Sequence, residues 1–187
     1  QISLSGIKSV GIYGKNGARV INTGGITVGD NSAGVFVKDG GEIKNTGIIT
    51  IGANSQGLAL KNGVGIDNSN TISSTQGKAI GIYSENISGN VESSGIINLS
   101  GDKSIGIYSK GTAAQINNTG SIIIGPSSDE KDPGMGIYYD NTAGTTINSN
   151  IITVGDKSLG IYNKANTGTI NQTGALSVGK GGTGIYT

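Results

Sequence analysis

The run Ile105-Gly106-Ile107-Tyr108-Ser109-Lys110 and its continuation Gln115-Ile116-Asn117-Asn118-Thr119-Gly120-Ser121-Ile122-Ile123-Ile124-Gly125 decide the fold. Apolar and polar residues alternate in three short stretches, around Ile105–Ser109, Gln115–Asn118 and Ser121–Gly125. Period-2 alternation over so few residues marks strands rather than helix. The joints carry turn residues. Asn16-Gly17, Asp39-Gly40 and Asn62-Gly63 follow the first strand, Asn-Thr-Gly follows the second at Asn22, Asn45 and Asn118, and Gly-Asp-x-Ser follows the third at Gly29–Ser32 and Gly155–Ser158. Gly, Asn and Asp accept positive φ, which tight corners demand.

Working outward from Gly106, the same glycine recurs at Gly11, Gly34, Gly57, Gly81, Gly136, Gly160 and Gly184, with gaps of 23, 23, 24, 25, 30, 24 and 24 residues along the full series. A repeat of this length with strand-like character throughout reads as a solenoid. Leucine-rich repeats need a helical or irregular back half and a leucine framework, and propeller blades are longer. The expected fold is all-β: a right-handed parallel β-helix with three strands per coil and about 23–25 residues per coil. Stacking predicts inward columns Ile12-Val35-Leu58-Ile82-Ile107-Ile137-Ile161-Ile185, Val20-Ile43-Ile66-Val91-Ile116-Ile147-Ile170 and Val28-Ile51-Leu99-Ile124-Val154-Val178. Ser74 interrupts the third, so its coil is expected to pack less well. A lone coil cannot offset its backbone entropy, so coils must share hydrogen bonds and side-chain contacts.

Composition excludes several functions. The chain has 187 residues, a net charge of +1, no cysteine and no histidine. It offers no basic cluster for nucleic acid, no disulfide framework and none of the usual bases, nucleophiles or soft metal ligands. Apolar runs such as Ile122–Ile124 are too short to cross a membrane as a helix. No catalytic residue, cofactor site or metal site is expected. Asp30, Asp102, Asp132 and Asp156 stand four residues before marker glycines. One acid per corner falls short of the six or so oxygens calcium requires, so they read as turn residues.

Outward columns are weighed the same way. Tyr13, Phe36, Tyr83, Tyr108, Tyr138, Tyr162 and Tyr186 should form an outward aromatic ladder that stabilises the sheet by stacking or meets a ligand. Lys15, Lys38, Lys61, Glu85, Lys110, Asp140 and Lys164 form a charged row, read as a solvated face. Arg19 and Glu42, one period apart, should pair across coils. Asn22, Asn45, Asn68, Ser93, Asn118, Ser149 and Gln172 should form a coil-to-coil hydrogen-bonding ladder. Asn141, by contrast, belongs to a solvated turn.

The 30-residue gap holds the one irregularity, an expected loop insertion over 125–134 that contains both prolines. Proline withholds a ladder donor and fixes φ, so this segment should leave the sheet as a semi-rigid loop. Ser128, Asp129, Glu130, Lys131 and Asp132, with Tyr138 and Tyr139 just beyond, form the candidate partner-binding patch, since loops on rigid scaffolds often carry function. The competing reading is a tolerated insertion without a role.

Gly106-Ile-Tyr-Ser-Lys-Gly111, Ile116-Asn-Asn-Thr-Gly-Ser-Ile122 and Ile152-Thr-Val-Gly-Asp-Lys-Ser-Leu-Gly-Ile-Tyr162 resemble the passenger repeats of large type V autotransporter adhesins of anaerobic Gram-negative bacteria, and the likeness spans essentially the whole chain. It implies an extracellular, cell-surface passenger segment, anchored in the outer membrane only through a barrel domain outside this sequence. The implied partners are a host cell-surface protein or glycan, or another bacterial surface. The array over 1–187 is expected to be one piece of a longer passenger, because both ends fall inside a repeat. The alternatives are a carbohydrate-active β-helix enzyme fragment, such as a polysaccharide lyase or hydrolase, and a passive stalk that spaces a distal binding tip.

Overall fold

The computed structural model describes residues 1–112, 115–140, 144–164 and 167–187. Among them there is no helix, and every strand pair is parallel. The chain is a β-solenoid of about seven turns. One face, A, stacks eight strands: Val10–Lys15, Ala33–Lys38, Gln56–Lys61, Ile80–Glu85, Ile105–Lys110, Met135–Asp140, Leu159–Asn163 and Thr183–Tyr186. Face B begins with Arg19–Asn22, Glu42–Asn45, Ile66–Asn68 and Val91–Ser93. Face C begins with Ile2–Leu4, Ile26–Val28, Ile49–Ile51, Ile72–Ser74 and Ile96–Leu99. In the next two coils the B and C strands fuse into single strands, Gln115–Ile124 and Thr146–Val154, which joins the faces into one sheet. Thr169–Gln172 and Leu176–Val178 then resume separate B and C strands.

The three inward columns run in the expected register. A fourth is as dry: Ile26, Ile49, Ile72, Ile97, Ile122 and Ile152, each at most 1% exposed. It explains the marker glycine. A Cβ on Gly81 would meet the Gly106 carbonyl oxygen at 2.6 Å and Ile97 Cγ2 at 2.6 Å. Face A therefore lies too close to the adjoining coil and to the face C isoleucines for any side chain at that position.

A second inward column on face A changes character along the rod: Gly14, Val37, Leu60, Ser84, Ser109, Tyr139, Asn163. Ser84 Oγ donates to Ser109 Oγ at 2.8 Å in the interior. Tyr139, expected on the surface with Tyr138, points into this column and is 1% exposed. Adjacent strand residues face opposite sides of a sheet, so only one tyrosine of the pair lies outside. At the Ser74 break the hydroxyl donates to the Ile51 carbonyl at 2.8 Å and accepts from Gln76 N–H at 3.1 Å. The column thus loses an aliphatic group but leaves no orphaned polar atom there, and a shallow depression bordered by Ile51, Ser74 and Gln76 marks the place.

The C-to-A corners repeat closely. In six of these turns the third residue is left-handed: Lys8, Asn31, Asn54, Lys78, Lys103 and Lys157 have φ between 52° and 58°. Four of these are lysines, where turn chemistry predicted Gly, Asn or Asp. At five of the six its N–H bonds a carbonyl of the next coil, as in Asn31 to Ala53 at 2.8 Å and Lys78 to Asp102 at 2.7 Å. A serine follows in every one of these turns except that of Lys78, where Ala79 stands, and it links coils: Ser9 N–H donates to Ser32 Oγ, and Ser32 N–H to Ser55 Oγ, each at 2.9 Å.

Candidate functional surface

The long coil keeps the corner frame and inserts into it. Gly125 N–H donates to the Leu99 carbonyl at 2.9 Å and Ser127 N–H to that of Asp156 at 2.8 Å. The Gly134 carbonyl then accepts from Leu159 N–H at 2.8 Å. Gly125, Pro126 and Ser127 therefore occupy the Gly-Asp-x positions, and Gly134 takes the serine position. The segment that departs is 128–133, six residues, the difference between a 30-residue gap and its 24-residue neighbour.

This loop leans along the ridge of corners. Toward the preceding coil, Ser128 gives its N–H to Asp102 Oδ1 at 2.8 Å and its hydroxyl to Asp102 Oδ2 at 2.6 Å. Asp132 pairs with Lys103 at 3.1 Å. Toward the following coils, the Glu130 carboxylate lies 3.7 Å from where a Cβ on Gly181 would stand. Inside the loop, Ser127 Oγ donates to the carbonyls of Asp129 and Asp132 at 3.2 and 3.0 Å. Asp129 Oδ1 accepts from Lys131 N–H at 2.9 Å. The Ser128 hydroxyl, then its N–H, hold Asp102 below the ordinary aspartate value of 3.8, and Asp132 holds Lys103 above its ordinary value. Asp129, Glu130 and Lys131 remain exposed.

The seven residues expected to form one patch thus fall in three places. Ser128 to Asp132 lie on the corner ridge, Tyr138 stands on face A, and Tyr139 is in the core. Tyr138 stacks between Tyr108 and Tyr162, with ring centroids at 4.8 and 5.1 Å and interplanar angles of 21° and 16°. Tyr83 and Tyr186 close the row edge-on, at 90° and 82°. Both faces of the Tyr138 ring are occupied by neighbours, so it offers an edge and a hydroxyl, not a stacking platform. Burial, with Asp140 adding, pushes the Tyr138 phenol up to about 12. Below the tyrosines, Glu85 pairs with Lys61 at 3.0 Å and Asp140 with Lys164 at 3.4 Å, so acids interrupt the lysine row.

The corner acids act as turn residues. Asp30 Oδ1 accepts from Ala53 N–H, and Asp156 Oδ1 from Lys180 N–H, each at 2.7 Å. Among the described residues no three His, Cys, Asp or Glu converge on a metal position. Arg19 and Glu42 form the expected ion pair. One grouping escaped the sequence reading: Lys44, Asp67 and Glu92 stand in register on face B, where Lys44 and Asp67 pair at 3.5 Å. The signal lies in their spacing, since Asp67 and Glu92 are one coil apart although distant in sequence.

These features define a parallel β-helical repeat protein with a self-stacked aromatic face, a polar face and one corner loop. Set against known proteins, the chain matches no family model, no curated sequence and no solved structure.

Proposed function

We propose that this chain is a rod segment of a bacterial cell-surface adhesin, displayed outside the cell as part of an autotransporter-type passenger, and that it contributes to attachment to host cells or other bacteria. The observation that carries this reading is the coil-to-coil parallel pairing of all three faces, in which the register shifts between Asn118 and Ser121. Columns of side chains are spent on holding successive coils together, and function is left to outward positions. At about 4.8 Å per rung, eight face A rungs extend roughly 40 Å, a length suited to projecting contacts away from a membrane. On this reading the exposed Asp129, Glu130 and Lys131 are contact residues for a protein partner, presented by a loop tied to the corner ridge through Asp102 and Lys103.

Two measurements test it. Antibody raised against the chain should label intact, unpermeabilised cells of the source organism, and beads coated with the chain should bind host cells or partner bacteria above a coated control. Internal labelling only, or beads no stickier than controls, rejects it. Beads that fail while surface labelling succeeds reduce the chain to a stalk. Turnover of pectin or another polysaccharide, lost on Asp129→Ala or Asp132→Ala, would replace the adhesin with the enzyme.

A further inference from the structure

Face B carries a notch that the fold does not require. Its outer column runs Arg19, Glu42, Gly65, Asn90, Gln115, Thr146 and Thr169, as the register of the adjoining inward column fixes. Every member except Gly65 has a polar side chain. Gly65 is absent from the positive-φ glycines. A Cβ built on it would meet closely only the Asn90 carbonyl oxygen, at 3.0 Å, an atom that also accepts the Ile66 N–H at 3.1 Å. Contrast Gly81, whose added carbon would strike two atoms at 2.6 Å. Backbone conformation therefore does not call for the glycine at position 65, crowding calls for it less than at position 81, and the missing side chain opens a shallow groove.

The lining is mixed. Glu42, Lys44, Val64, Asp67, Asn90 and Glu92 surround the gap. Glu92 Oε1 accepts from both Asn90 Nδ2 at 2.8 Å and Asn117 Nδ2 at 2.7 Å, so the carboxylate is fixed in place with Oε2 to spare. Lys44 holds Asp67 through Oδ2 at 3.5 Å, which leaves Oδ1 as an acceptor and further N–H donors on the ammonium. Asp67 and Glu92 are directly opposite one another on adjacent strands, about 4.8 Å apart along the rod. Val64, 48% exposed, supplies an apolar rim. Two cations, Arg19 and Lys44, stand against three anions, Glu42, Asp67 and Glu92, so the groove is net acidic.

We infer that the Gly65 notch binds a neutral hexose unit of a glycan. Hydroxyl groups both donate and accept, so a vicinal pair satisfies a fixed carboxylate and an ammonium together, while the C–H side of the ring packs on Val64. A uronic, sialic or sulfated sugar would meet three carboxylates and be excluded. The inference rests on reading the chain as a surface rod that meets glycans, and it names the surface that does so.

The test uses the isotope-labelled 187-residue chain in titrations with neutral tetrasaccharides of glucose, mannose and galactose. Sialyllactose serves as the anionic control and calcium chloride as the cation control. At least one neutral oligomer should shift the amides of Gly65, Asp67 and Asn90 saturably, and sialyllactose should bind at least about fivefold more weakly. Gly65→Gln, which restores the side chain that Gln115 carries in the same column, should fold with an unchanged thermal midpoint and weaken binding about tenfold or more. Glu92→Gln should weaken it by a smaller factor. No shift at those amides with any neutral oligomer overturns the inference, as does unchanged binding by Gly65→Gln. Shifts produced by calcium alone would make the notch a cation site and overturn it too. Bead attachment to cells that persists in Gly65→Gln removes the notch but leaves the adhesin reading standing, whereas absence of attachment by the unmodified chain removes the reading itself.

Discussion

Asn22 donates its side-chain amide to Asn45 Oδ1 at 2.7 Å, across 23 residues of sequence and one rung of the solenoid. Asn45 repeats the act toward Asn68 at 2.8 Å and also donates to the Gly47 carbonyl at 2.9 Å. Each amide closes its own B-to-C corner and bonds the next, so the ladder couples turn geometry to stacking. It is shorter than the sequence column implied. Beyond Asn68 stands Ser93, whose Oγ has no partner, and the column bonds across coils again only where Asn118 Nδ2 donates to Ser149 Oγ at 3.5 Å.

Asn45→Ala removes the acceptor of Asn22 and the donor to Asn68 in a fully buried position. It should cost about 1–3 kcal/mol, read as a lower denaturant midpoint. Asn98→Ala is the control, since Asn98 faces solvent on face C and should move stability by no more than about 0.5 kcal/mol. The control first suggested by the sequence, Asn141, lies outside the described residues. Equal midpoints for the two variants would dissolve the ladder as a source of stability.

Much of the fold was legible because a solenoid writes its geometry into the sequence once per coil. Gly106 and Ile107 repeat at nearly constant spacing, so the columns could be aligned before any coordinate was known. What escaped was whatever depends on the third dimension within one coil. Tyr139 reads as a second surface aromatic beside Tyr138, yet strand alternation sends it inward beside Ser109, a small residue on the adjoining rung. The lysines with positive φ were equally hidden, because local preference favours Gly, Asn or Asp at such a corner. The outer amide chain on face B was missed as well. Asn171 donates to Asn148 at 2.8 Å, Asn148 to Asn117 at 2.6 Å and Asn117 to Glu92 at 2.7 Å. These residues match in type only from the fifth coil on, too few to stand out as a column. The candidate patch dispersed for a related reason: residues adjacent in sequence turned out to occupy a corner, a face and the core.

The marker glycine gives a sharper test of stacking. In Gly106→Ala the new carbon would stand 2.5 Å from the Gly136 carbonyl oxygen and 2.6 Å from Ile122 Cγ2, both in packed backbone or core. Over-packing of this kind costs about 1–3 kcal/mol. Gly17→Ala meets nothing within 4 Å but adopts φ of +81°, a strain of roughly 1–2 kcal/mol. Thermal melts should place Gly106→Ala below Gly17→Ala. The reverse order would mean that conformational strain, not coil spacing, fixes the repeat.

The Asp102–Ser128 contact predicts a local response to acid. The hydroxyl and N–H of Ser128 depress the Asp102 pKa below 3.8. A depressed carboxylate contributes its full tethering above the unfolded value and loses it as pH falls through the folded one. Protection of the Ser128 amide, its exchange relative to an unstructured peptide at the same pH, should therefore persist at neutral pH and fall only below the ordinary aspartate range, while core amides such as Ile107 stay protected. The Asp102→Ala variant should show reduced Ser128 protection at every pH. A Ser128 amide that is protected equally at all pH values would assign the loop's order to other contacts.

Excision of the loop separates scaffold from recognition. Ser127 and Gly134 occupy turn positions that are consecutive in the neighbouring coil, at Lys157 and Ser158, so removing 128–133 and joining Ser127 to Gly134 recreates an ordinary corner. The lost contacts are those of Asp102 and Lys103 with exposed residues, and surface pairs of this kind contribute at most about 1 kcal/mol. A shorter connection also lowers the closure entropy slightly. The midpoint of thermal unfolding should consequently shift little, and the parallel strand signature in circular dichroism should remain. Attachment of coated beads is the discriminating readout. If Asp129, Glu130 and Lys131 contact a protein partner, excision abolishes attachment while stability persists. Attachment at the unmodified level would remove the loop from the binding surface and leave face B as the place to look. A chain that unfolds on excision would instead show that the loop straps the corner ridge together.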